Sequence, residues 1–95
     1  MGSGEAAVIR KEMTISPGDF RRLLERLGGG RLRECGAACW RIGDVTIRAS
    51  EMDELTMAAL RLPRLAVSID LSRLPPRHRD DFLRRFDQTF RRGGG

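Results

Sequence analysis

Apolar residues alternate with polar ones in three stretches of this 95-residue chain. The first stretch runs from Ala7 to Ile15, where Lys11 interrupts the apolar side. The second covers residues 45–49, and the third is the segment LAVSIDLS at 65–72. A period of two is typical of a strand with one buried and one solvated face. Such half-solvated strands predict an antiparallel sheet with one apolar face.

A helix is predicted directly after the first of these strands. Ser16 is a favourable N-cap residue and Pro17 suits the first helical position. The triplet at 28–30 is all glycine, which ends a helix because glycine adopts left-handed conformations at no steric cost. Between these signals lies an apolar stripe with helical spacing: Phe20, Leu23, Leu24 and Leu27.

A second helix is predicted from Pro75-Pro76 to Arg92. Asp80 and Asp81 lie near its start and arginines lie at its end, an arrangement that complements the helix dipole. Its apolar stripe consists of Phe82, Leu83, Phe86 and Phe90.

The middle of the chain has weaker patterns. Residues 32–42 are interpreted as one strand, followed by a two-residue hairpin turn at Gly43-Asp44. Residues 51–60 leave two alternatives open, a long connection or a short helix capped by Ser50, and Pro63 would end either one. The helix would place four residues inward: Met52, Leu55, Ala59 and Leu60.

These elements predict an α+β fold in the order β-α-β-β-β-α. An antiparallel sheet of about four strands would carry both helices on its apolar face. Residues 1–95 are interpreted as a single domain with an ordered part of about 6–92. A chain of this length buries roughly 60–65% of its unfolded surface, which is enough for a core without disulfides or metal.

The formal net charge of +5 is concentrated in the C-terminal part of the chain. Residues 73–95 contain seven Arg and three Asp. Asp80, Asp81 and Asp87 lie three or four residues from arginines, a spacing that favours ion pairs on a solvated helix face over a clamp for phosphates. Nucleic-acid binding through this helix is therefore an alternative function. Its possible phosphate contacts are Arg77, Arg84, Arg85, Arg91 and Arg92.

The chain has two cysteines, Cys35 and Cys39, and one histidine, His78. In a straight strand the two cysteines would lie about 13 Å apart, too far for a disulfide. A turn centred on residues 36–38 would bring the sulfurs together. These three residues would leave a tetrahedral zinc site one ligand short. The cysteines are therefore interpreted as small, buried or half-buried thiols, and a thiol or metal carrier is a second alternative.

No stretch carries a recognisable catalytic motif. The glycine triplet at 28–30 follows a helix, whereas a phosphate-binding loop precedes one. The N-terminal residues lack the apolar segment of a secretory signal, and no apolar run approaches the roughly 18 residues that a membrane span needs. The sequence therefore indicates a cytoplasmic, bacterial-type protein that is not an enzyme and uses no cofactor.

The function that fits these observations best is that of a small cytosolic binding module. A sheet with helices on one face leaves the other face and an edge strand available for a partner. That open face is expected to carry Arg48, Ser68 and Asp70. The expected partner is a protein, either a second copy of the chain or another polypeptide.

Overall fold

The structure is a computed structural model that describes the backbone of residues 7–94 and the side chains of residues 7–91. Within that range the elements are β1 Val8–Met13, α1 Pro17–Gly28, β2 Leu32–Gly36, β3 Cys39–Ile42, β4 Val45–Met57, β5 Leu60–Asp70 and α2 Pro76–Gly94. All strand pairs are antiparallel, and the spatial order is β1-β5-β4-β3-β2. The α+β class is confirmed, with five strands where about four were expected.

Helix α1 begins and ends at its predicted signals. The Ser16 side chain accepts a hydrogen bond from the backbone N–H of Asp19 at 3.1 Å. At the other end Gly29 has φ +56°, and its N–H donates to the carbonyl oxygen of Glu25. The left-handed conformation of Gly29 explains why the helix ends in glycine.

The core lies between the sheet and the two helices, all on one side of the sheet. Alternate residues of the central strands point into it, so that Ile47 and Ile69 are fully buried opposite each other. Both helices contribute the stripes predicted for them. The buried helical residues are Phe20, Leu23, Leu24, Leu27, Phe82, Phe86 and Phe90.

Lys11 lies on the apolar side of β1, where it interrupts the alternation of that strand. It pairs directly with Val67 of β5, which is buried. Its ammonium group reaches past the edge of the sheet to the carboxylate of Asp87 on α2, with the nitrogen 3.4 Å from Oδ1. The cation is tolerated there because its long stem carries the charge to a half-exposed partner.

The expectation of one strand over residues 32–42 is wrong. The chain reverses at Ala37-Ala38, so β2 and β3 form a hairpin in which Gly36 pairs with Cys39. Ala38 adopts φ +51°, which is unusual for a residue other than glycine. Two alanines are weak turn formers, and the reversal therefore has little signal in the sequence.

Both alternatives for residues 51–60 are also wrong, because the segment continues β4 and turns into β5. Leu55 and Leu60, expected inward in the helical alternative, are exposed. Pro63 lies within β5 and does not end the strand. It is tolerated there because the register of the β4–β5 pair shifts between Met52 and Leu55. In addition, the residues of β5 that precede Leu65 have no partner in β1.

Candidate binding surfaces

Cys35 and Cys39 form a disulfide across the β2–β3 turn, with their Cα atoms 5.2 Å apart. The interpretation as two free thiols is therefore wrong for this structure, because the turn removes the separation that a straight strand would impose. Cys39 is buried and Cys35 is exposed.

His78 does not join the two cysteines. It lines a cleft beside Ile42, at the opposite end of the β2–β3 hairpin from the disulfide. Among the described residues, no group of three or more His, Cys, Asp or Glu side chains is placed to hold a metal ion. The three metal candidates of the sequence thus lie in two separate places.

The arginines predicted as phosphate contacts lie along the exposed side of α2. Arg77, Arg84, Arg85 and Arg91 are all exposed, while the side chain of Arg92 lies outside the described residues. Arg84 forms an ion pair with Asp81 at 3.8 Å. Asp87, expected to pair with an arginine of the same helix, instead pairs with Lys11 of β1. Nucleic-acid binding through α2 stays a prediction.

The sheet face opposite the helices is covered by no other element within residues 7–94. Arg10, Ser68 and Arg48 lie side by side on β1, β5 and β4. Small side chains around them leave an open cleft of about 570 Å³ that reaches Ala37 and Ala38 at the β2–β3 turn. This face carries the predicted residues Arg48, Ser68 and Asp70 and has a basic character.

Asp70 belongs to this face and remains a carboxylate. The pKa of Asp70 is lowered because Ser72 donates hydrogen bonds to it, and the positive charges of Arg48 and Arg73 act in the same direction. The bond from the backbone N–H of Ser72 to Oδ1 measures 2.9 Å. Asp70 therefore holds the chain at the end of β5 and compensates part of the basic charge nearby.

A second basic surface lies at the β2 edge of the sheet. Arg31, Arg33 and Arg41, together with Gly30 and Gly43, line a cleft of about 400 Å³ that no acidic residue lines. Arg33 and Arg41 are directly opposite each other in the β2–β3 pair. The sequence reasoning missed this cluster, because Arg33 and Arg41 become neighbours only once the turn at Ala37-Ala38 is known.

A third surface is the outer part of the β4–β5 hairpin. Leu55 pairs with Leu62, and Met57 pairs with Leu60, so these four side chains lie on one face of the hairpin. Leu55, Met57 and Leu60 are 37%, 57% and 62% exposed. The available signal was the spacing of two between Leu55 and Met57 and between Leu60 and Leu62, which is typical of a strand.

No helix in the described part of the chain is long and apolar enough to cross a membrane. In comparisons with known proteins, no protein-family model matches the chain, and no curated protein is significantly similar to it.

Proposed function

We propose that this protein is a non-catalytic binding module that associates with a second copy of itself through the apolar face of the β4–β5 hairpin. The observation that carries the proposal is the position of the exposed large apolar side chains. In the part of the chain whose side chains are described, all three of them, Leu55, Met57 and Leu60, lie in this one hairpin. A contiguous exposed apolar patch indicates an interaction site, whereas scattered apolar residues do not.

The backbone of the hairpin supports the same reading. Strand β3 pairs with β4 only over Val45–Arg48, and β1 pairs with β5 only as far as Leu65. Beyond these points both edges of the hairpin lack a strand partner within residues 7–94. Unpaired edges and an apolar face are the two features that strand-mediated association uses.

Charge favours a second copy as the partner. The outer part of β4 carries three acidic residues, Glu51, Asp53 and Glu54, whereas the outer part of β5 carries Arg64; Arg61, opposite Thr56, faces away from the apolar side. A two-fold axis along the hairpin would place the acidic strand of one copy over the basic strand of the other. Such a self-complementary patch is what a symmetric dimer requires.

The association is expected to be weak and reversible. The patch contains four large side chains, and Leu62 is already half-buried. Each apolar side chain contributes at most about 1.5–3 kcal/mol when fully buried. Association costs about 4–15 kcal/mol in lost freedom of motion, so we expect a dissociation constant in the micromolar range.

Sedimentation equilibrium over about 5–500 µM protein tests the proposal, because a weak dimer is concentration-dependent. The wild type is expected to shift from monomer to dimer, and Met57→Ser with Leu60→Ser is expected to remain monomeric. The matched control is Thr56→Ser with Arg61→Lys, which changes the opposite face of the same hairpin and keeps its charge. This control is expected to dimerise like the wild type.

Three results would count against the proposal. The first is a wild type that remains monomeric throughout, and the second is an apolar variant that dimerises as well as the control. The third is a wild type that binds lipid vesicles through this patch instead of a second copy.

We propose the cytoplasm as the compartment of this protein. The disulfide would be kept largely reduced there.

A further inference from the structure

We propose that Arg31, Arg33 and Arg41 form a binding site for a phosphate group at the β2 edge of the sheet. The three side chains line one cleft of about 400 Å³, and no carboxylate lines it with them. The site lies at the end of the sheet away from the β4–β5 hairpin, so it is independent of the proposed dimer.

The pairing of Arg33 with Arg41 is the first argument. Like charges directly opposite each other on adjacent strands destabilise a sheet. Within the described residues, neither arginine has an acidic side chain within ion-pair distance. Glu34, the neighbour of Arg33, instead pairs with Arg21 of α1 at 2.9 Å, on the helix side of the sheet. A bound anion would remove this repulsion.

The position of Arg31 is the second argument. This residue ends the short 3₁₀ helix Gly29–Arg31, and its guanidinium group packs against the β3–β4 turn at Gly43. A Cβ atom at Gly43 would lie 2.5 Å from Nη2 of Arg31. The left-handed φ of +60° favours glycine there, and the missing Cβ lets the Arg31 guanidinium lie against the turn. The turn thus leaves room for a third guanidinium beside the other two.

The chemistry of the cluster indicates the ligand class. Guanidinium groups are charged at every physiological pH and bind phosphate oxygens through paired N–H donors. Three of them around one cleft match an anion with more than one negative charge or several oxygens, which favours phosphate over a single carboxylate. The phosphate group could belong to a small phosphorylated molecule or to a nucleic-acid backbone, and these two sources differ in salt dependence and in length of contact.

Pyrophosphate is the first probe, measured by isothermal titration calorimetry and by its effect on the thermal midpoint. The test variant is Arg31→Gln with Arg33→Gln and Arg41→Gln. The matched control is Arg77→Gln with Arg84→Gln and Arg85→Gln, which removes the same number of charges from α2. We expect the cleft variant to weaken pyrophosphate binding at least about tenfold and the control less than about threefold, since each charge-assisted bond contributes substantially.

The thermal midpoint distinguishes a variant that has lost pyrophosphate binding from one that has lost its fold. Without ligand, the cleft variant is expected to be as stable as the wild type or more stable, because the repulsion between Arg33 and Arg41 is relieved. Pyrophosphate should raise the midpoint of the wild type and leave that of the cleft variant unchanged. If the triple variant fails to fold, Arg33→Gln alone serves, since its side chain is exposed.

A fluorescein-labelled single-stranded oligonucleotide is the second probe. Tighter binding than pyrophosphate, with a salt slope that falls by about 2 in the cleft variant, would assign the site to a nucleic-acid backbone. If the wild type binds pyrophosphate and its affinity for the oligonucleotide is no higher, the site is assigned to a small phosphorylated molecule. The proposal is wrong if neither probe binds the wild type, or if the α2 control loses as much binding as the cleft variant.

Discussion

At the scale of single residues, aromatic side chains connect the sheet with both helices. The ring of Phe20 on α1 lies 5.7 Å from Trp40 on β3 and 5.2 Å from Phe90 on α2, measured between centroids. Phe86 stacks on Phe90 at 4.3 Å and is 1% exposed. Such ring pairs contribute beyond the area that they bury, so this row of four rings fixes how α2 docks.

We expect Phe86→Ala to lower the free energy of unfolding by about 3–5 kcal/mol, because it leaves a cavity in the core. Urea unfolding followed by circular dichroism measures the change. Arg85→Ala, one residue earlier and exposed, is the control and should change stability by less than about 0.5 kcal/mol. An unchanged unfolding midpoint for Phe86→Ala would mean that α2 is not docked as described.

At the scale of elements, the β2–β3 hairpin combines a weak turn with a covalent link. Its two-residue turn contains Ala38 in a left-handed conformation that costs about 1–2 kcal/mol. The disulfide between Cys35 and Cys39 joins the strands at that turn. It compensates for a turn sequence that would otherwise favour the reversal poorly.

Replacing both cysteines by serine is expected to lower the free energy of unfolding by about 2 kcal/mol and to preserve the fold. The loss is small because the cross-link closes a short loop, and the stabilisation by a disulfide increases with loop length. Urea unfolding of the wild type with and without a reducing agent measures the same quantity. A wild type insensitive to reduction, or a variant that does not fold, would contradict the expectation.

At the scale of the whole molecule, the fold has a body and an extension. The body is the sheet with its two helices, and the extension is the outer β4–β5 hairpin. Residues 53–61 are all exposed, whereas Leu65, Val67 and Ile69 are buried. Local stability follows such differences in burial, so the two parts should open independently.

Hydrogen exchange followed by mass spectrometry tests this division. Amides of residues 53–61 are expected to exchange at least about a hundredfold faster than those of residues 65–70 at low protein concentration, because a two-stranded ribbon opens without the core. Raising the concentration should slow exchange in the hairpin if it forms the dimer interface. Equal protection of both parts in the monomer would mean that the hairpin is part of the core.

Elements that depend on neighbouring residues were predictable from the sequence. The cap at Ser16, the glycine end of α1 and the apolar stripes of both helices are local patterns with a direct physical cause. The turn at Gly43 was predictable for the same reason, since glycine takes its positive φ without strain. The open face with Arg48 and Ser68 followed from the period of two along β4 and β5.

Features that depend on pairing between distant residues were decided by the tertiary structure. The reversal at Ala37-Ala38 is stabilised by the sheet and the disulfide. It divides residues 32–42 into two strands, and the two alanines did not predict it because they are weak turn formers. The same reversal placed Arg33 opposite Arg41. The outer hairpin with Leu55 and Leu60 was likewise predicted as a helix or a connection. A helix forms its hydrogen bonds within itself, whereas the outer part of β4 forms them with β5, a pairing that the local sequence does not show.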